Sequence, residues 1–266
     1  MAVFDLIILA LIQGVTEFLP ISSSGHLALW PLLTGRPDQG VTLDVAVHLG
    51  TLVAVCAYFA RDMAEIARGV GDLFRGRWQS PAARLALLLA FATVPAVGVG
   101  IVLKLGGVMP ALRSIEVVGW ATLIGGILLW LADRYGAQGP RPWSWRDAGL
   151  MGLAQACALI PGTSRSGACM TMARALGYGR LEAARLALLM AVPTILAASL
   201  VETVGLFRAG DLSLGRDFLL AAALACGAAL ASLAVMMRMF RAAWSMTPFV
   251  VYRLGLGAVL LWIAYG

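Results

Sequence analysis

Gln13 and Glu17 stand four residues apart, ahead of Pro20 and the run Ser22-Ser23-Ser24-Gly25-His26, inside an otherwise apolar stretch. A carboxylate, an imidazole and a cluster of hydroxyls are costly in hydrocarbon, so residues of this kind mark a functional site. A spacing of four puts Gln13 and Glu17 on one helical face, a turn apart. There an amide oxygen and a carboxylate can share a hard divalent cation, Mg2+ or Ca2+, with water and phosphate oxygens; the bland alternative is an interhelical polar contact. Ser22, Ser23, Ser24 and Gly25 open a second apolar helix, whose hydroxyls and first N–H groups can converge on an anion. Capping accounts for one serine but not for three. His26, one turn further, can act as acid or base near neutral pH, or be a satisfied structural residue.

A second polar segment, Pro161-Gly162-Thr163-Ser164-Arg165-Ser166-Gly167, repeats the first. A shift of 142 positions lays Gln13 on Gln155, Ser22 on Ser164, Ser23 on Arg165, Ser24 on Ser166 and Gly25 on Gly167. Thr163, Ser164 and Ser166 thus join Ser22, Ser24 and Gly25 as candidate phosphate ligands. Arg165 adds a fixed cation, whose planar fork suits bidentate contact with phosphate; its structural alternative is an ion pair with Glu17. Asp44 and His48 share a helical face, and Arg253 interrupts the last apolar run, so these three are outer candidates. Each equally fits buried packing or snorkelling to the surface.

The elements that position these residues must be membrane helices. Hydrophobic residues make up 61% of the 266, charged residues only 13%, and the mean hydropathy is +0.87, far above a soluble domain. The charge of +6 rests on arginines scattered between apolar runs and forms no contiguous basic face, so it points to membrane topology and away from nucleic acid. The cysteines Cys56, Cys157, Cys169 and Cys226 have no metal-ligand spacing and read as packing residues. The N-terminus lacks the basic start and cleavage pattern of a signal peptide, so the first segment is expected to stay.

Runs near the length of a bilayer crossing occur at about 41–60, 83–103, 115–133, 181–205, 217–238 and 247–265. Residues 2–19 and 147–160 are shorter, and each leads through a proline and a polar turn into another short helix, at about 23–34 and 165–177. These pairs are expected to be re-entrant helical hairpins, with their turns near mid-membrane. The segment 61–82 is charged enough to be an interfacial helix or loop. Arginines gather on one side of this plan, including Arg61, Arg77, Arg134, Arg141, Arg180 and Arg241, while Arg36, Lys104, Arg113, Arg208 and Arg216 fall on the other. The richer side is cytoplasmic by the positive-inside rule. A cysteine at Gly210 is then expected to face outside, and one at Gln138 the cytoplasm. The halves, about 1–135 and 143–266, each hold one hairpin and three spans. An odd number of crossings gives them opposite topology, an inverted-topology internal repeat whose turns meet in one site. The expected fold is thus an all-α integral membrane protein with six transmembrane helices plus two re-entrant hairpins.

The motifs Gln-x-x-x-Glu-Phe-Leu-Pro-x-Ser-Ser-Ser-Gly-His at 13–26 and Pro-Gly-Thr-Ser-Arg-Ser-Gly at 161–167 resemble the two signatures of the bacterial undecaprenyl pyrophosphate phosphatases of the bacitracin-resistance type. The resemblance extends over essentially the whole chain, including the Tyr252-Arg253 ending. It implies a hydrolase that removes the terminal phosphate of undecaprenyl pyrophosphate with a divalent cation, recycling the cell-wall lipid carrier. The site would face the outer side of the cytoplasmic membrane. It also implies that Glu17, Ser23, His26 and Arg165 are the catalytic set. That family admits Glu or Gln at the position of Gln13, and the neutral option here argues against an essential acid. Ser23 is the candidate nucleophile, with His26 or Glu17 as its base; attack by a metal-positioned water is the alternative. Expected partners are the polyprenyl pyrophosphate and membrane lipids, with no nucleic acid, and a homodimer is left open. The rival from another class is a lipid-phosphate transporter, since inverted repeats with broken helices are also a carrier plan.

Overall fold

The computed structural model describes residues 3–35, 40–137, 139, 141–209 and 215–266; Arg36, Gln138 and Gly210 lie outside them. Among the described residues the regular structure is entirely helical. The helices are α1 (Val3–Thr16), α2 (Ser23–Thr34), α3 (Val41–Tyr58), α4 (Ala60–Phe74), α5 (Pro81–Leu105), α6 (Met109–Leu112), α7 (Ile115–Tyr135), α8 (Trp145–Cys157), α9 (Arg165–Ala175), α10 (Arg180–Ala209), α11 (Arg216–Arg241) and α12 (Thr247–Tyr265). Six of them, α3, α5, α7, α10, α11 and α12, are long and apolar enough to cross a bilayer, and they fall on the six runs read from the sequence. The chain is a multi-pass, all-α membrane protein.

Local sequence explains several starts. Ser80, Ser114 and Ser144 cap α5, α7 and α8, each accepting a hydrogen bond from the N–H three residues on. The charged stretch after residue 60 forms α4, which packs along α5 and ends in a turn where the Ser80 hydroxyl also donates to Asp72, at 2.7 Å.

Helix association in lipid relies on close approach of small residues. Ala221, Ala225 and Ala229 line one buried face of α11. Gly14 of α1 and Gly50 of α3 lie so close to that face that a methyl group on either would strike the α11 backbone. The contacts follow a pattern: α1 packs on α11 as α8 packs on α5, α3 packs on α11 as α10 packs on α5, and α7 packs on α12.

Many of the arginines collect at one end of this bundle. Arg185 of α10 reaches Asp62 of α4, Arg241 of α11 donates to the Tyr58 hydroxyl at 3.1 Å, and Arg84 of α5 to the Trp143 carbonyl at 3.4 Å. At the opposite end of α5, Lys104 meets Glu202 at 3.9 Å. Before α8, Arg141 bonds both oxygens of Asp147, which also accepts from the Tyr178 hydroxyl at 2.8 Å. Burial alone would raise the Asp147 carboxyl, but the bonds from Tyr178, Ser144 and Arg141 outweigh it and hold it below the usual carboxylate range.

Candidate active site

Both polar turns share one unusual backbone state. Ser22 and Ser164 each sit at positive φ, 73° and 67°, a region that costs free energy for a residue with a side chain. Each then caps the helix it precedes: Ser22 Oγ accepts from Gly25 N–H at 3.4 Å, and Ser164 Oγ from Gly167 N–H at 3.1 Å. Each hydroxyl also pairs with the serine two residues on, Ser24 at 3.1 Å and Ser166 at 3.2 Å. The turns are stitched together across the chain. Gly162 N–H donates to Ser24 Oγ at 3.0 Å, while Ser166 Oγ donates to the Leu19 carbonyl at 3.0 Å. Four of the candidate phosphate ligands, Ser22, Ser24, Ser164 and Ser166, therefore hold the turns in shape.

That leaves the matched pair Ser23 and Arg165, and both converge on Glu17. Ser23 Oγ donates to Glu17 Oε2 at 2.9 Å, and Arg165 Nη2 to Glu17 Oε1 at 2.7 Å. Glu17 is buried and Arg165 nearly so. The second terminal nitrogen of the guanidinium, Nη1, is buried with no hydrogen-bond partner among the described residues. A buried, unpaired charged donor is costly, and an anion would satisfy it.

Gln13 joins from the preceding turn of α1. Its Nε2 lies 2.8 Å from Glu17 Oε2 and 3.1 Å from His48 Nε2. His48 Nδ1 donates to the Asp44 carbonyl at 2.7 Å, because a carbonyl can only accept; in the neutral ring, Nε2 is then an acceptor. Both neighbours of the Gln13 amide therefore call for its NH2, and Oε1 is left buried without a partner. Asp44 and His48 thus do meet, through the backbone, and His48 reaches into the site. Gln155, the counterpart of Gln13, is also buried, with an amide that makes no hydrogen bond among the described residues.

His26 takes a different direction. Its Nδ1 donates to the Ser22 carbonyl at 2.7 Å, and its Nε2 meets the Tyr252 hydroxyl at 2.6 Å, the two rings lying nearly parallel. Among the described residues it makes no hydrogen bond to Ser23, and the side chain that touches the Ser23 hydroxyl is the carboxylate of Glu17.

Arg253, one residue after Tyr252, is fully buried and forms no ion pair among the described residues. It donates instead to backbone carbonyls of three elements. In the second turn these are Thr163 at 2.9 Å and Gly162 at 3.2 Å; on α7 they are Thr122 at 3.1 Å and Ala121 at 3.4 Å; and in the first turn Pro20 at 3.5 Å. Gly125 makes room for it, since a methyl group there would collide with the guanidinium. Gly162 is required for a related reason: its φ is +95°, and any side chain would meet the Val118 carbonyl of α7. Thr163 supplies its carbonyl, and Gly25 its N–H. Sequence reasoning missed Tyr252 as a partner of His26 and Thr122 as a wall of the second turn, whose Oγ1 lies 3.2 Å from the Gly162 carbonyl. Their only signal was polarity within apolar helices.

Fold and site together define a class: a multi-pass membrane protein in which two capped helical turns bring a carboxylate, a serine hydroxyl and an arginine into contact. Residues 6–259 match the family model described as Bacitracin resistance protein BacA, and the chain belongs to that family. It is 52% identical to the undecaprenyl-diphosphatase of Ruegeria pomeroyi and 53% identical to that of Dinoroseobacter shibae, over the full length of each pair. Identity to the undecaprenyl-diphosphatase of Maricaulis maris is 46% over 98% of both chains.

Proposed function

We propose that the protein hydrolyses the terminal phosphate of undecaprenyl pyrophosphate, giving undecaprenyl phosphate and inorganic phosphate, and so recycles the lipid carrier of the cell wall and confers bacitracin resistance. The observation that carries the chemistry is the hydroxyl, carboxylate and guanidinium contact beside the unpartnered Nη1 of Arg165. Arg165 receives the terminal phosphate. Glu17 takes the Ser23 proton while Oγ bonds to the terminal phosphorus and the bond from phosphorus to the bridging oxygen breaks. Undecaprenyl phosphate leaves carrying the proton that Glu17 took. Glu17, a carboxylate again, takes a proton from a water whose oxygen bonds to phosphorus as the bond to Ser23 Oγ breaks, and that proton returns to Oγ. Charge stabilisation by preorganised donors is the main task in such a transfer. His26, held by Tyr252 and the Ser22 carbonyl, lies one turn beyond Ser23 on α2.

A divalent cation, Mg2+ or Ca2+, fits the donor set. Gln13 Oε1 is a buried oxygen without a partner, next to a carboxylate. Among the described residues no group of three or more His, Cys, Asp or Glu side chains gathers to hold a metal, so water and phosphate oxygens would complete the shell. Bound there, the ion would neutralise charge on the pyrophosphate.

The same reading treats α1–α2 and α8–α9 as re-entrant hairpins of an inverted repeat with halves 1–135 and 143–266. It is supported by the matching caps at Ser22 and Ser164 and by the exchange pattern of helix contacts. The arginine-rich end then faces the cytoplasm of a bacterial cell, and the catalytic mouth opens on the outer side of the inner membrane. In a background freed of native cysteines, a membrane-impermeant thiol reagent applied to intact cells is expected to label a cysteine at Val108 and spare one at Gln79. The reverse pattern would place the mouth in the cytoplasm. The deciding assay for the activity is phosphate release from undecaprenyl pyrophosphate by purified protein in detergent. Sustained turnover is expected; a lipid-phosphate carrier would release none, since transport needs two compartments.

A further inference from the structure

A polar cavity of about 180 Å³ opens at the arginine-rich end, walled by Trp130, Asp133 and Arg134 of α7, Arg180 of α10, and Ser245 and Thr247 at the start of α12. It is separate from the candidate active site. Asp133 lies eleven residues along α7 from Thr122, or about 16 Å at the helical rise.

Its chemistry is that of an anion site. The Asp133 carboxylate is saturated: Oδ1 accepts from Arg174 Nε at 3.1 Å and Arg180 Nε at 2.7 Å, and Oδ2 from Arg180 Nη2 at 3.1 Å and Met246 N–H at 3.0 Å. Three arginines, 134, 174 and 180, against one aspartate leave two positive charges here. Arg134 is exposed and makes no hydrogen bond or ion pair among the described residues. The Ser245 hydroxyl donates to Thr247 Oγ1 at 2.9 Å, which leaves the Thr247 O–H free to donate elsewhere. The volume equals that of roughly six liquid waters, ample for a tetrahedral phosphate. The half-exposed indole of Trp130 at the rim is the side chain that favours headgroup depth, and basic pockets between helix ends are known recognition sites for anionic lipid.

We propose that this cavity binds a phosphate group, supplied by the headgroup of an anionic membrane lipid or by free phosphate, independently of the hydrolytic site. Arg134 and Thr247 are the donors that the fold leaves available.

The test compares wild type with Arg134→Gln and Thr247→Val in detergent, scoring bound lipid and bound phosphate by native mass spectrometry in four arms: phosphatidylglycerol, phosphatidylcholine, inorganic phosphate alone, and phosphatidylglycerol with added inorganic phosphate. Wild type is expected to retain phosphatidylglycerol over phosphatidylcholine, and Arg134→Gln to lose about fivefold of that preference. Phosphate release and the unfolding temperature should be unchanged in both variants. A lipid source is assigned if phosphatidylglycerol is retained and phosphate only displaces it. A soluble source is assigned if phosphate alone binds and that binding depends on Arg134. Equal phosphatidylglycerol retention in wild type and both variants, or no binding of either anion, would overturn the site. Because hydrolysis is read separately, failure here is distinguishable from failure of the phosphatase assignment.

Discussion

Ser23→Ala is expected to lose activity by several orders of magnitude while still binding substrate. The side chain is small, half-buried and, among the described residues, bonded only to Glu17, and its removal leaves Glu17 tied to Gln13 and Arg165. The pyrophosphate-binding groups therefore stay in place. If Ser23 merely held phosphate, the loss would be one hydrogen bond to a charged group, about 1.5–3 kcal/mol, or roughly a hundredfold at most. Single-turnover kinetics on the purified variant separate the two cases. Retention of more than about one per cent of wild-type turnover would remove the covalent step and leave a water-mediated hydrolase. Glu17→Gln is the companion variant. It keeps the size of the group but not the base, and is expected to fall as far.

Arg165→Lys is expected to cost on the order of a hundredfold in kcat/KM, with folding intact. The guanidinium performs two tasks at once, holding Glu17 through Nη2 and keeping Nη1 for an anion. An ammonium is a point charge and cannot serve both in a fixed plane. A lysine that pairs with Glu17 abandons the phosphate, and one that reaches the phosphate frees the carboxylate. Two charge-assisted contacts are weakened, each of about 1.5–3 kcal/mol. Near-normal turnover in this variant would take Arg165 out of the phosphate site and leave its contact with Glu17 as its whole role.

The parts legible in the sequence were those with a local physical cause. Apolar runs as long as a bilayer is thick announced the six spans, and polar residues inside such runs announced the site. The spacing of Gln13 and Glu17 placed them together, and capping was readable for one serine of the first turn, although Ser22 and Ser164 both read as phosphate ligands. Arg253 was visible but its purpose was not, because its partners are backbone carbonyls and carbonyls carry no residue signature. The choice between Glu17 and His26 as the base was equally closed to spacing. It turns on a long-range contact, the Tyr252 hydroxyl 226 positions from His26, which occupies the Nε2 of that ring. The repeat also hid an asymmetry that matters chemically. The positions matching Glu17 and His48 are Leu159 and Met190, so only the first half brings the acid, while the second brings the cation.

Arg253 also bears on how the chain is made. It lies on α12, which follows in the chain every element that holds its partners, and an arginine in the middle of a lone membrane helix costs about 2.5–3.5 kcal/mol on insertion scales. Its stabilising partners, the carbonyls of Pro20, Thr122, Gly162 and Thr163, come together only once α7 and both polar turns are in place. During biogenesis the final segment is therefore a poor insertion signal by itself and a strong clamp on a finished bundle. Insertion of α12 and closure of the polar centre become one event.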